Sequence, residues 1–70
     1  MNRMESFGNG AAQLLYGDAE YTIMRPGSFV LCAVTGARID LEDLRYWSAE
    51  RQEAYADATA SLARWKSVNR

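Results

Sequence analysis

The chain has 70 residues, of which 49% are hydrophobic, with a formal net charge of −1, one cysteine and no histidine. A chain of this length forms one domain at most and has a thin margin of stability. A single cysteine cannot form an internal disulfide, and without histidine the usual four-ligand Cys/His zinc site is excluded. The near-zero charge gives no reason to expect a nucleic acid or an anionic membrane as a partner. We therefore expect no metal, no other cofactor and a fold held by packing.

The N-terminal residues 1–11 are polar and hold Gly8 and Gly10, which predicts a flexible arm with Phe7 as its apolar anchor. The segment lacks the apolar core that a signal peptide needs, and no run approaches the ~20 apolar residues of a membrane span. A lone thiol without an export signal fits a reducing cytoplasm. Residues 12–70 are expected to form a single small α+β domain.

Three segments of the first half predict strands and turns. Residues 12–16 (AQLLY) and 21–24 (YTIM) are expected to pair as a hairpin across the turn at 17–19. The RPGS sequence that follows predicts a type II turn, with Gly27 at the position that requires a positive φ. The apolar run 29–34 (FVLCAV) is bounded by turns, and its length favours a buried strand over a helix.

The next residues predict short elements. Residues 37–41 (ARIDL) alternate apolar and charged side chains, as in a short strand or an extended segment. Residues 41–44 (LEDL) are expected to form one helical turn, and residues 45–47 (RYW) a strand or an extended lead-in to the last element.

The last element is predicted to be one long helix. Ser48 is a good N-cap, and residues 49–66 contain neither glycine nor proline. An apolar stripe with helical spacing runs through it: Tyr55, Ala58, Leu62 and Trp65. We expect this stripe to pack on the sheet, so that Leu62→Ala costs about 2–5 kcal/mol.

These elements predict an α+β fold, with a small antiparallel sheet of three or four short strands followed by one long C-terminal helix packed on it. The expected core gathers the larger apolar side chains of the predicted strands and helix: Tyr21, Ile23, Phe29, Leu31, Cys32, Ile39, Leu41, Leu44, Tyr55, Leu62 and Trp65.

Cys32 is the first candidate for chemistry. A catalytic cysteine needs a base or a positive environment to form its thiolate, and the chain has no histidine to serve. In an apolar strand, burial raises the pKa of a thiol. We therefore expect a structural thiol that reacts slowly in the folded state.

Acidic residues are the second candidate: Asp40, Glu42, Asp43, Glu50 and Glu53. Paired carboxylates can bind a hard cation or act as general acid and base. The cluster lacks the ligand spacing and central glycine of a calcium loop, and nearby arginines can neutralise it. The sequence favours a solvated, partly ion-paired surface.

The adjacent aromatics Tyr46 and Trp47 are the third candidate, because neighbouring side chains of an extended segment point to opposite faces. Either both are buried at the bend into the helix, or one is exposed as a partner anchor. The run 29–34 is likewise apolar on both faces, and one helix covers only one of them. The N-terminal arm, closure of the sheet on itself or another molecule can cover the second face. The candidate partner surface comprises Val30, Val34, Arg45, Tyr46 and Trp47.

Four motifs resemble a family of small bacterial proteins known only as a domain of unknown function. They are RPGS at 25–28, CAVTG at 32–36, LRYWS at 44–48 and RQEAY at 51–55. The resemblance covers residues 7–63 and implies a cytoplasmic single-domain protein with no assigned activity, cofactor or catalytic residue. The CAVTG turn is also similar to zinc-ribbon knuckles, in which a cysteine precedes a glycine turn, although the partner cysteines are missing here.

We therefore expect a non-enzymatic protein-interaction module that binds an unknown protein partner or forms a weak homodimer, with no membrane contact. The first alternative is a small enzyme or enzyme subunit. The missing histidine and the small volume available for a pocket of ~300 Å³ or more weigh against it. The second is a weak nucleic-acid-binding module based on exposed aromatics and scattered arginines, which the charge balance disfavours.

Overall fold

The structure is a computed structural model that describes residues 10–68. Within this range the elements follow in the order β1 (Gln13–Tyr16), β2 (Tyr21–Arg25), β3 (Phe29–Leu31), β4 (Arg38–Asp40), β5 (Tyr46–Ser48), β6 (Glu53–Tyr55) and α1 (Ala58–Val68). A 3-10 turn at Leu41–Asp43 forms the predicted single helical turn. The fold is α+β, as the sequence predicts. The predicted strand count is wrong, because the described part of the chain has six strands in three antiparallel pairs instead of one sheet of three or four strands.

The first pair, β1 with β2, is the hairpin that the sequence predicts. Tyr16 pairs with Tyr21, and the Gly17 N–H donates to the carbonyl of Glu20 at 2.8 Å. The register shifts at the open end, so that the ladder skips Met24. This shift is a β-bulge, which interrupts regular pairing along β2.

Gly27 is needed for a different reason from the one that the sequence suggests. It lacks the positive φ of a type II turn, which among the described glycines is found at Gly36, with a φ of 79°. A Cβ on Gly27 would instead lie 2.4 Å from the backbone nitrogen of Ala12. The close approach of two backbones therefore explains this glycine.

Two residues of the predicted arm are part of the folded chain. The carbonyl of Gly10 accepts the Ser28 N–H at 3.0 Å, and Ala11 forms a parallel bridge with Phe29. Residues 1–9, which include the predicted anchor Phe7, lie outside the described residues.

The second hairpin, β3 with β4, and the third hairpin, β5 with β6, are joined at Cys32. The regular part of β3 ends one residue before Cys32, so the strand is shorter than the predicted 29–34. Cys32 then forms a parallel bridge with Ala54 of β6, and the Ala33 N–H donates to the Ala54 carbonyl at 2.9 Å. Val30 and Ile39, which pair across β3 and β4, lie in the core behind this junction.

The helix predicted from residue 49 is wrong in its first half, because residues 46–55 form the third hairpin, β5 with β6. The hydroxyl of Ser48, the predicted N-cap, accepts the Arg51 N–H at 3.0 Å. Gln52 then takes a positive φ of 54°, which is incompatible with continuing a right-handed helix. Strand pairing buries Ala54 and Tyr55, and this burial overrides the local helix propensity.

The helix begins at Ala58. The Asp57 carboxylate accepts the Ala60 N–H at 2.8 Å, which makes Asp57 the N-cap. Ala60 is the residue of α1 that is buried in the core. The helix has 11 residues, and it packs on β5 and β6.

Within residues 10–68 the core has eight buried apolar residues: Tyr16, Val30, Cys32, Ile39, Leu44, Ala54, Tyr55 and Ala60. Four of these were predicted, and two more predicted core residues, Tyr21 and Leu41, pack against the cluster. Phe29 is only half-buried. The prediction is wrong for four residues that are each more than half exposed: Ile23, Leu31, Leu62 and Trp65. The predicted stripe fails because Tyr55 lies on a strand and α1 turns Ala60 inward.

Candidate functional site

The five residues of the predicted partner surface do not form one face. Val30 is 6% exposed and belongs to the core, so that side chain is not available to a partner. Trp47 is half-buried. Three of the five remain accessible to another molecule: Val34, Arg45 and Tyr46.

Trp47 anchors the first hairpin to the third. Its indole N–H donates to the carbonyl of Gly17 at 2.8 Å. Its ring lies 6.2 Å from that of Tyr16 in a stacked arrangement and 5.5 Å from that of Tyr21, edge to face. These ring contacts and the satisfied N–H are the usual environment of a structural tryptophan. Of the two adjacent aromatics, therefore, Tyr46 is the exposed one.

Gln52 completes this junction. Its side-chain oxygen accepts the Tyr16 N–H at 2.9 Å, and its side-chain nitrogen donates to the Tyr16 carbonyl at 2.8 Å. The same nitrogen donates to the carbonyl of Ala49 at 2.7 Å, within its own turn. The amide thus binds both backbone groups of Tyr16, as a neighbouring strand would.

The Cys32 turn is compact and rich in backbone donors. The Thr35 N–H donates to the sulfur at 3.4 Å, and the Gly36 N–H donates to the Cys32 carbonyl at 2.9 Å. The hydroxyl of Thr35 in turn accepts the Ala37 N–H at 3.1 Å. Of these three N–H groups, the one of Thr35 therefore bonds the sulfur directly, and the other two hold the turn around it.

Two opposing effects set the pKa of the Cys32 thiol. Burial raises it, but the Thr35 hydroxyl and the N–H groups of Thr35, Ala56 and Val34 favour the thiolate, and together they lower the pKa to about 7. The sequence analysis expects burial to raise the pKa of this thiol. That expectation is wrong, because the pKa is lowered. The prediction of a buried side chain is confirmed, since Cys32 is 3% exposed.

Thr35 follows Cys32 at the spacing of the second cysteine in a C-x-x-C metal-binding turn. It supplies a hydroxyl in place of a second thiol. The turn therefore offers one sulfur ligand, whereas a zinc site takes three or four protein ligands. The turn therefore does not supply the ligand set of a zinc-ribbon knuckle.

The acidic cluster lies on the surface beside an open cleft. The carboxylates of Asp40, Glu42 and Asp43 lie within 4.8 Å of one another. Asp40 forms an ion pair with Arg38 at 3.0 Å. The cleft has a volume of about 410 Å³, and Gly27, Ser28, Arg38, Asp40, Leu41 and Glu42 line it. These side chains are well solvated, which fits the predicted ion-paired surface.

The inner side of α1 is held by polar contacts. Arg64 forms an ion pair with Glu53 at 3.1 Å and donates to the carbonyl of Ala33 at 3.1 Å. The same Glu53 carboxylate accepts the hydroxyl hydrogen of Tyr55 at 3.0 Å. Arg64 and the buried Ala60, one turn apart, therefore define the side of α1 that faces the strands.

The opposite side of α1 carries the apolar residues that the sequence places in the core. We call Ala58, Leu62 and Trp65 the outer stripe. Leu62 is 51% exposed and Trp65 is 55% exposed. Their three-to-four-residue spacing does produce a common helix face, as predicted, but its two large side chains are each more than half exposed. Nothing in the local sequence signals that orientation, since it is fixed by the partners of Arg64.

A family model described as an uncharacterised protein family conserved in bacteria, DUF2093, matches residues 23–64. The matched range contains the Cys32 turn, the acidic cluster, the third hairpin and the first half of α1. The bacterial family of unknown function that the motifs indicate is thereby confirmed. No curated protein and no solved structure matches the chain. Across residues 10–68, no helix is long and apolar enough to cross a membrane.

Proposed function

The chain belongs to this uncharacterised bacterial family, DUF2093, and we propose that it is a non-enzymatic protein-interaction module that acts through the outer stripe. One observation carries the proposal: a leucine and a tryptophan, each more than half exposed, share one face of α1. A helix face of this kind is a common anchor in protein recognition, because its apolar side chains leave water when a partner docks.

The chemistry of the candidate sites supports the non-enzymatic part of the proposal. The chain has no histidine, and its single thiol is 3% exposed. A nucleophile must reach its substrate, and a general base must lie within hydrogen-bonding distance of the proton that it takes. The exposed carboxylates beside the cleft are solvated, so they lack the burial that tunes a catalytic acid or base. The lone thiol also fits a reducing cytoplasm.

The proposal is tested by affinity capture from a lysate of the source bacterium. The tagged chain is compared with Leu62→Glu, which places a charge in the middle of the outer stripe. Ala63→Glu is the matched control, because Ala63 is an exposed residue of the same helix outside the stripe. We expect the same proteins to be recovered with the wild type and the control, and to be lost with Leu62→Glu.

A second variant, Tyr46→Ala, tests the partner surface that the sequence predicts. It distinguishes a contact through Tyr46 from a contact through the outer stripe. Tyr46 is 42% exposed on β5. Equal recovery with Leu62→Glu and the wild type would refute the outer stripe as the contact surface. Loss with Tyr46→Ala alone would assign the contact to β5 instead.

A further inference from the structure

We infer that the partner of the outer stripe is a second copy of this chain, docked with the two α1 helices antiparallel and crossing at Leu62. The inference rests on the proposed function, because it names the partner for the same surface. Two features of the helix carry it, namely the order of large and small side chains and the order of charges.

The side-chain sizes are self-complementary in the antiparallel arrangement. A two-fold axis at Leu62 brings together residues at equal distances before and after it in the sequence. Trp65 of one copy then faces Thr59 of the other and lies next to Ala58. A large side chain meets small ones at both ends of the contact, which lets the two helices approach closely. The two Leu62 side chains meet at the centre.

The charges favour the same arrangement. Asp57 lies at the start of α1 and Lys66 near its end, and both are exposed. Antiparallel docking brings the Lys66 of each copy close to the Asp57 of the other, and it also opposes the two helix dipoles. Parallel docking would place like charges together. Arg64 does not enter this balance, because Glu53 already neutralises it.

The first hairpin carries a competing set of exposed apolar side chains, namely Leu15, Ile23 and Met24. Its edge is less suited to pairing with a second copy. The bulge at Met24 interrupts the regular hydrogen-bonding pattern of β2, and bulges of this kind protect edge strands from pairing between chains. The outer stripe is therefore the better surface for self-association.

The size of the contact sets its strength. A helix of 11 residues is about 16 Å long, so two such helices bury much less than the ~800 Å² per partner of a standard interface. We therefore expect a weak dimer that forms reversibly with increasing protein concentration.

Sedimentation equilibrium from micromolar to millimolar protein tests the dimer directly. We expect reversible dimerisation of the wild type and of Ala63→Glu, because Ala63 is an exposed residue of α1 outside the outer stripe and outside the contacts proposed for it. In Leu62→Glu the association is expected to be at least about tenfold weaker, because two carboxylates would be buried against each other. Lys66→Glu is also expected to weaken the dimer, since it places acidic groups of the two copies together.

Cross-linking tests the orientation. Leu62→Cys lies on the proposed two-fold axis, so two copies should form an intermolecular disulfide rapidly under mild oxidation. Thr59→Cys is expected to cross-link much more slowly, because in the antiparallel arrangement it faces Trp65 and not its own counterpart. Cys32 remains in both variants and is expected to stay reduced, because it is 3% exposed.

Two results would overturn the homodimer. One is a monomer throughout the concentration range, and the other is equal cross-linking of Leu62→Cys and Thr59→Cys. A monomer whose capture of other proteins is still abolished by Leu62→Glu would leave the proposed function intact with a different partner. A monomer whose capture is insensitive to Leu62→Glu would refute both.

Discussion

Gln52→Ala is expected to loosen the first hairpin from the third. The Gln52 amide makes three hydrogen bonds, at 2.9, 2.8 and 2.7 Å, and two of them bind the backbone of Tyr16. Alanine removes all three and leaves the N–H and carbonyl of a buried residue without these partners. The affected groups are 36 residues away in sequence, so the loss acts on tertiary structure and not on the local turn.

The magnitude follows from the number of bonds. A typical hydrogen bond contributes about 0.5–1.5 kcal/mol net, and an unsatisfied buried group costs about 1–3 kcal/mol. Part of this loss is recovered where water reaches the half-exposed end of the junction. We therefore expect Gln52→Ala to lower the free energy of unfolding by about 2–3 kcal/mol, a large fraction for so small a domain.

Gln52→Gly separates the hydrogen bonds from the backbone strain. Gln52 has a φ of 54°, which costs a residue with a Cβ about 1–2 kcal/mol relative to glycine. Glycine loses the same three bonds but removes this strain, at some cost in the entropy of the unfolded chain. Gln52→Gly should therefore be less destabilising than Gln52→Ala.

Urea unfolding followed by tryptophan fluorescence in a Trp65→Phe background, in which Trp47 is the one remaining tryptophan, is a suitable assay, because the indole of Trp47 lies in the same junction. Gln13→Ala is the matched control, since Gln13 is an exposed glutamine on β1. It should change stability by less than about 0.5 kcal/mol. If Gln52→Ala is as mild as this control, the amide does not hold the two hairpins together and the reasoning fails.

Three further substitutions test the packing. Leu62→Ala, measured at low protein concentration, should lower the free energy of unfolding by less than about 1 kcal/mol, because the side chain is half exposed. Tyr55→Ala should lower it by about 3–5 kcal/mol, because Tyr55 is 2% exposed. Equal thermal midpoints of the two variants would contradict the orientation of α1. Gly27→Ala should cost about 2 kcal/mol or more, since its Cβ would meet backbone at 2.4 Å, and an unchanged midpoint would show that the two segments are further apart. Trp47→Phe should cost about 1–2 kcal/mol through loss of the indole hydrogen bond, and a neutral result in urea unfolding would mean that this bond is replaced by water.

The parts of the fold that the sequence predicts are those that depend on neighbouring residues. The first hairpin follows from two β-forming segments around a glycine–acid turn, and the 3-10 turn follows from the short LEDL segment. The α+β class follows in the same way from local patterns, and the bacterial family is indicated by resemblance and is shown by the match to its family model.

The third hairpin is not predictable from local signals. Its turn, residues 49–52, contains no glycine, proline or asparagine, and the residues that follow it favour a helix. The turn is stabilised instead by Gln52 through bonds to Tyr16, a residue that is distant in sequence. Once residues 53–55 form a strand, the predicted stripe is divided, and only its second half stays helical.

The orientations of Val30 and Leu62 are not predictable for a related reason. Strand alternation correctly places Val30 on the opposite face from Phe29 and Leu31, but it does not say which of the two faces lies against the core. The pairing with Ile39 and the bridge at Cys32 decide this, and they bury Val30. For the helix, the ion pair between Arg64 and Glu53 turns Leu62 outward. Both outcomes depend on contacts between segments far apart in sequence.

The Cys32 turn leads to a prediction about pH. The thiol pKa is lowered from 9.0 to about 7 in the folded chain, because the donors around the sulfur outweigh the effect of burial. A group with a lowered folded-state pKa contributes stability above its unfolded-state pKa, and this contribution is lost as the pH falls through the folded-state value. The free energy of unfolding should therefore rise by about 2 kcal/mol between pH 7 and pH 9. Cys32→Ala should remove this rise.

Thiolate formation and thiol access are measured separately. The thiolate absorbance near 240 nm should titrate with a midpoint of about 7 in the native chain and near 9.0 in denaturant. A bulky thiol reagent should nevertheless react slowly with the native chain and quickly in denaturant, because Cys32 is 3% exposed. A native midpoint near 9, together with a stability that does not change with pH, would mean that burial dominates and that the N–H groups of the turn do not stabilise the thiolate. Rapid native labelling would show that the sulfur is accessible and would restore Cys32 as a candidate for redox or catalytic chemistry.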